Sequence, residues 1–207
     1  MNSSQQSNHI TKLLGFFYIF ILLFGANINA KSSLEIDAAI ESAINRFTNE
    51  IQGAQTYLDG ARGILVIPKM IKAGLVLGLE YGEGALVVDN IKVQYYRAFS
   101  GSLGLQLGIG SKDLIILFYD DEAMDDFLYS SGWQVGVDGS VALLDMGAGG
   151  SLDSTESQDP IIGFVFGHKG LIAGLSLEGT KFTKIWPDAD PEIDDDSIEA
   201  FNENALD

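Results

Sequence analysis

The sequence predicts an α+β fold: a glycine-rich, largely antiparallel curved sheet, half-barrel-like, with an N-terminal amphipathic helix and one short internal helix. Three observations carry this expectation. From Gly60 to Ile185, short runs of Val, Ile, Leu, Phe and Tyr are punctuated by glycine, the pattern of strands joined by tight turns. Only one helical stretch interrupts them, so the regular helix-strand alternation of a doubly wound sheet is missing. The 24 glycines among 207 residues supply the bulges and bends that curve a sheet.

Residues 1–30 read as a signal peptide. Lys12 precedes the apolar run Leu13 to Phe24, and Gly25-Ala-Asn-Ile-Asn-Ala30 supplies a small-residue exit with cleavage after Ala30. The run is shorter than the ~20 residues of a membrane-spanning helix, and no cysteine follows it for lipid attachment. The expected product is exported, periplasmic or membrane-associated, and spans residues 31–207 with a net charge of −18.

Residues 31–59 hold the amphipathic helix. Ile36, Ile40, Ile44, Phe47, Ile51 and Leu58 recur at spacings of three, four or seven between Asp37, Glu41, Arg46 and Glu50. The acidic polar face favours packing on the rest of the fold over a membrane-surface role, because interfacial helices usually carry Lys and Arg there.

Residues 60–186 form the sheet domain. Expected strands begin with 63–68, 85–89, 93–99 and 113–119, and continue with 133–137, 140–144, 161–166, 171–177 and 180–185. Asp120 to Tyr129 opens with the acids that a helix N-terminus favours and is the internal helix. In a further expected strand, Leu103, Leu105, Leu107 and Ile109 alternate with Ser102, Gly104, Gln106, Gly108 and Gly110, leaving one face nearly bare. Either a close-packed neighbour or a ligand lies on that face. Residues 187–207 hold nine acids and no base, the composition of a disordered acidic tail.

Charge and composition exclude several chemistries. A net charge of −17 argues against nucleic-acid binding, which needs a basic surface. Without cysteine there is no disulfide, thiol nucleophile or Cys-ligated metal. No G-x-S-x-G, Walker-type or H-E-x-x-H motif occurs, so no catalytic residue is assigned and no enzyme activity is expected. Gly82-Glu-Gly84 and Gly147-Ala-Gly-Gly150 read as turns, and His168 reads as a hairpin-turn residue. Asp120, Asp121, Glu122, Asp125 and Asp126 read as helix-start charge. Asp188, Asp190, Glu192, Asp194, Asp196 and Glu199 follow calcium-loop spacing, but Ile193 stands where that loop needs glycine, so no metal or cofactor is expected.

The charge is polarised along the chain. Residues 60–100 and 160–186 each carry a net +2, whereas residues 111–159 set Lys112 against eleven acids. If the two cationic segments adjoin, they make a local basic site able to hold one anionic headgroup.

Several long motifs then occur in order. They are Ala61-Arg-Gly-Ile-Leu-Val-Ile-Pro-Lys-Met-Ile-Lys-Ala-Gly74, Tyr81-Gly-Glu-Gly-Ala85, Ser131-Gly-Trp-Gln-Val-Gly-Val-Asp-Gly-Ser140, Gly163-Phe-Val-Phe-Gly-His-Lys-Gly-Leu171 and Ser176-Leu-Glu-Gly-Thr-Lys-Phe-Thr-Lys184. In these the chain closely resembles the SYLF family from about Gly60 to Ile185. The resemblance implies a glycine-rich β domain that binds lipids. Eukaryotic members bind phosphoinositides, yeast members also bind and bundle actin, and bacterial relatives are stand-alone exported lipid-binding proteins. This chain has no SH3 or FYVE segment and its amphipathic helix is acidic where the eukaryotic one is basic, so an actin partner is not expected.

The function expected is therefore a non-enzymatic phospholipid-binding module of the bacterial cell envelope. The alternative is a structural or protein-interaction module that contacts another envelope protein. For lipid contact the expected residues are Lys69, Lys72, Lys181 and Lys184, placed at strand ends, with Phe182 between two lysines and Trp133 as a second amphipathic ring. The bare face around Gly104 and Gly108 is the fallback surface.

Overall fold

The structure, a computed structural model, describes residues 31–74, 77–103, 108–146, 159–170 and 176–188. The expected signal peptide, the strand expected over 171–177 except its last two residues, and the tail beyond Asp188 lie outside these residues.

Helix α1 (Ser33–Glu50) starts where Ser32 and Glu35 make a reciprocal capping box: the Ser32 hydroxyl accepts from the Glu35 N–H and the Glu35 carboxylate accepts from the Ser32 N–H, both at 3.3 Å. Its buried stripe is Ile36, Ile40, Ala43 and Phe47. The single helix expected over 34–58 is split. Gly53 takes φ +83°, a left-handed conformation that separates the two helical runs, and α2 (Ala54–Gly60) follows it. Among the described residues no helix is long and apolar enough to cross a membrane.

Among the described residues eight strands form one sheet: β1 (Gly63–Gly74), β2 (Leu77–Val88), β3 (Ile91–Leu103), β4 (Gly108–Phe118), β5 (Trp133–Gln134), β6 (Ala142–Asp145), β7 (Ile161–Gly170) and β8 (Lys181–Ile185). Their spatial order is β5-β8-β3-β2-β1-β4-β7-β6, antiparallel throughout except for β6 beside β7. The internal helix α3 (Asp121–Tyr129) lies between β4 and β5, with the Asp120 carboxylate capping the Ala123 N–H at 2.9 Å. The α+β, largely antiparallel architecture is the one the glycine-punctuated strands predict.

Strand lengths depart from expectation for a physical reason. β1 does not stop at Pro68. It carries one extra residue there against both neighbours, since Val66 pairs with Ala85 and Ile71 with Tyr81, while Ile67 pairs with Leu114 and Met70 with Lys112. Proline lacks the N–H a ladder needs, and a bulge is where a sheet tolerates it. Lys69 there takes φ +50°, and its N–H is donated to the Asp113 carboxylate at 2.8 Å instead of to a neighbouring strand. The glycines of Gly82-Glu-Gly84, expected as a turn, lie inside β2 opposite this bulge. A Cβ on Gly84 would sit 1.8 Å from the Val66 carbonyl oxygen, so the bulged backbone occupies the space a side chain needs. His168 likewise lies within β7 and not at a hairpin tip, at a second bulge where Gly167 takes φ +62°. The expected strand over 102–110 is also corrected: Leu103 ends β3, Gly108 begins β4, and β1 and β2 lie between them in the sheet.

Each sheet face has its own core. Helices α1 and α2 cover one face, where Phe47 packs on Phe164 and Phe166 with ring centres 5.0 and 5.2 Å apart, over Val66, Ala85, Ile115 and Leu117. Helix α3 covers the other, where Phe127 meets Tyr96, Phe118, Trp133 and Phe182 at 4.7 to 5.7 Å. We call these the helix face and the aromatic face.

Candidate functional site

Strand alternation sends successive side chains to opposite faces, and this disperses the residues expected to act together. Lys181 lies on the helix face and is exposed, whereas Phe182 and Lys184 point to the aromatic face. Phe182 is fully buried and Trp133 is 2% exposed, both in the ring cluster around Phe127. Phe182 and Trp133, expected as lipid-contacting rings, are corrected to core residues. Lys69 is exposed at the β1 bulge and not at a strand end.

Lys72 turns to the aromatic face and is buried there. Its ammonium lies 3.2 Å from Glu80 Oε1, while Lys112 Nζ, with no side-chain exposure, lies 2.7 Å from Glu80 Oε2. One carboxylate thus holds two ammonium groups between strands, and this pairing is what permits lysine inside a sheet. The glycine-rich floor expected near Gly108 adjoins this ion triad, with Gly108 paired to Gly74 and Gly110 to Lys72. Gly104 lies outside the described residues.

The helix face is layered by register. Nearest α1, the tier Tyr95, Ala85, Val66 and Ile115 belongs to the covered core. The next tier is polar: Thr183 pairs with Arg97 and Arg97 with Glu83. Glu83 is 3% exposed and accepts a short hydrogen bond from the Tyr81 hydroxyl, while Arg97 lies over the Tyr81 ring at 5.7 Å. Burial, followed by the Glu83 hydrogen bond and charge, raises the Tyr81 phenol above its ordinary value, so Tyr81 stays a donor.

Beyond this tier α1 no longer covers the sheet. One row runs Lys181, Phe99, Tyr81, Ile71 and Ser111 across β8, β3, β2, β1 and β4; the next runs Gly101, Leu79, Ala73 and Ile109. Phe99 is 49%, Leu79 52%, Ile71 53% and Ile109 77% exposed. These four side chains form one apolar patch about 14 Å across, from three strand intervals of ~4.8 Å. No acid stands in either row; Lys181 ends the first of them, and Arg97 lies in the tier beside it. Scattered exposed apolar residues need no explanation, but a contiguous set on one sheet face, bordered by cations, marks an interaction surface.

Sequence reasoning named Lys181 and missed Phe99, Ile71, Leu79, Ile109 and Arg97. The alternation Tyr95, Arg97, Phe99, Gly101 was a readable signal for a shared face, but not for its exposure. On the aromatic side a cavity of about 490 Å³ is lined by Trp133, Ser140, Val141 and Ile161 together with Asp126, Asp138 and Asp159. Among the described residues no group of three or more His, Asp or Glu side chains is arranged to hold a metal ion. Asp188 instead caps α1: the Ser33 hydroxyl and, after it, the Ser33 N–H at 3.0 Å hold its carboxyl below the usual range.

Comparison with known proteins agrees with the motif reading. Residues 99–186 match the family model described as Ysc84, Las17-binding protein actin regulator. No curated protein matches the chain. The matched segment runs from the exposed Phe99 through Lys181 and the end of β8.

Proposed function

We propose that this chain, whose residues 99–186 match the Ysc84 family model, is a SYLF-like, non-enzymatic phospholipid-binding module of the bacterial cell envelope. The family supports a lipid- or actin-related binding module; the membrane reading is carried by the cation-edged apolar patch of Ile71, Leu79, Phe99 and Ile109. A bilayer interface accepts such a surface because apolar side chains enter the acyl boundary while flanking cations remain at headgroup depth. The net charge of −17 opposes general adhesion to anionic membranes, so attachment depends on presenting this one face. Export through the segment around Lys12 to Ala30 is part of the proposal and brings the protein to an envelope membrane.

Flotation of the processed protein with phospholipid vesicles tests this reading. The parent should float, and the combined Ile71→Ser, Phe99→Ser, Ile109→Ser variant should remain at the bottom with unchanged circular dichroism. A folded parent that binds no phospholipid class removes the proposal. Mass spectrometry should place the mature N-terminus at or near Lys31.

The printed family description favours a second reading, a protein-interaction module. Its signature is an envelope protein retained by the parent and lost by the same triple variant while neither binds vesicles.

A further inference from the structure

The apolar patch left open beyond α1 has a cation at each end. Across β4, Ser111 pairs with the exposed Lys169 of β7, so its row runs from Lys181 through Phe99, Tyr81, Ile71 and Ser111 to Lys169. Lys69 at the β1 bulge, Lys169 and Lys181 are all exposed and have no ion pair among the described residues. The last described residue, Asp188, is held at the start of α1, where its carboxylate accepts from the Ser33 N–H at 3.0 Å. Asp188 is seven residues on from Lys181, which puts the patch margin within about 23 Å of it at ~3.3 Å per residue. The next nine residues, 189–197, reach up to ~30 Å when extended.

Residues 189–207 carry eight acids and no base, yet they include Ile193, Ile198, Phe201 and Leu206. A segment that serves only as a solvated tail is depleted in aromatic and β-branched residues, so these need another account. Ile198, Phe201 and Ala205 stand at helical spacings of three and four, after Ser197, a residue suited to capping, with Glu199 and Glu203 on a different side. We propose that residues 197–206 lay this stripe on Ile71, Leu79, Phe99 and Ile109 of the same chain and so cover the patch in the unbound protein. The inference goes beyond the membrane reading and does not rest on it. Charge selects the occupant: neither patch row contains an acid, Lys169 and Lys181 stand at the ends of one, and the segment brings only acids to them. Size agrees as well, since the rise from Ile198 to Ala205 is about 10 Å along a helix and the patch is about 14 Å across. The tether makes a weak contact sufficient, because a short linker holds the segment near its site at an effective concentration of order mM. Whatever else the patch receives must first displace the segment.

The chain has no cysteine, so a nitroxide attached through Asn204→Cys in the processed protein is unique. At low salt it should broaden the methyl signals of Ile71, Leu79 and Ile109 and spare Leu34, which is 79% exposed and next to the Ser33 anchor of the tail. A segment that does not dock gives the reverse order, with Leu34 broadened and the patch sharp, and that result overturns the proposal. The combined Ile198→Ser, Phe201→Ser variant should return the patch signals to full intensity, and broadening that survives it overturns the stripe as the contact. Lys169→Gln with Lys181→Gln, or raised salt, should return part of the intensity. Mixing nitroxide-labelled protein with isotope-labelled protein that carries no nitroxide identifies the source. Patch signals that stay sharp in the mixture uphold docking within one chain, and signals that broaden there show a second copy on the patch and overturn it. Neither result depends on vesicle binding by the parent, so the proposal and the membrane reading fail separately.

Discussion

Asp113 draws donors from two other elements: Arg46 on α1 at 2.8 and 2.9 Å, and the Lys69 N–H of the β1 bulge at 2.8 Å. Its side chain is 4% exposed, so replacing its charge removes a buried acceptor from a helix anchor and a bulge together. Asp113→Asn should cost about 2 kcal/mol in urea unfolding. Tyr96 shows the opposite case. Its hydroxyl is buried with no hydrogen-bond partner among the described residues, and burial pushes the phenol up from 10.0 to about 12. Between those values the native state holds a proton that the unfolded chain releases, so stability is full below pH 10 and falls as pH rises toward 12. Tyr96→Phe should therefore be neutral to about 1 kcal/mol more stable at neutral pH and should show a shallower loss between pH 10 and 12, read by denaturation at stepped pH.

At the scale of elements, the β1 bulge determines more than any single strand. It absorbs Pro68, turns Lys72 into the sheet and pushes the Val66 carbonyl toward Gly84. Gly84→Ala would place a Cβ 1.8 Å from backbone that cannot move without breaking the β1–β2 ladder, and should cost about 3 kcal/mol by thermal or urea unfolding. The bulge also explains why sequence reading ended β1 at Pro68. A proline is a sound strand terminator unless an extra residue lets the ladder resume beyond it, and that residue is recognisable only when both partner strands are in view. The amphipathic stripe of α1 was legible because its period is local; the break at Gly53 was missed because Ile51, Leu58 and the earlier isoleucines still satisfy a helical spacing.

Across the whole molecule, the buried ring cluster and the exposed apolar patch lie on different faces of the sheet. The aromatic face is core, so Trp133→Ala should cost about 3–5 kcal/mol while the folded fraction floats with vesicles as the parent does. Its fluorescence should be insensitive to vesicle-embedded quenchers, unlike that of a ring in the bilayer. The end of the helix face left open by α1 is the surface that should respond to vesicles, and protection from hydrogen exchange on vesicle binding should concentrate at Ile71, Leu79, Phe99 and Ile109.

The α+β class, the glycine-punctuated sheet, the two amphipathic helical segments and the family motifs were legible in the chain, because each is written in local period, turn chemistry or contiguous residues. It also singled out lysines near the ends of the glycine-rich segments, of which Lys181 lies at the border of the open patch. Tertiary structure alone decided the rest of the surface. Strand alternation separates Lys181 from Phe182 and Lys184, while the bulge sends Lys72 to Glu80 in the interior. Phe182 and Phe99 are both aromatics in β-strands, yet one is fully buried and the other 49% exposed. The difference lies in what covers each face: α3 and its ring cluster close over Phe182, and α1 ends its cover before reaching Phe99. Coverage is a property of distant segments packed together, so no local pattern in the chain encodes it.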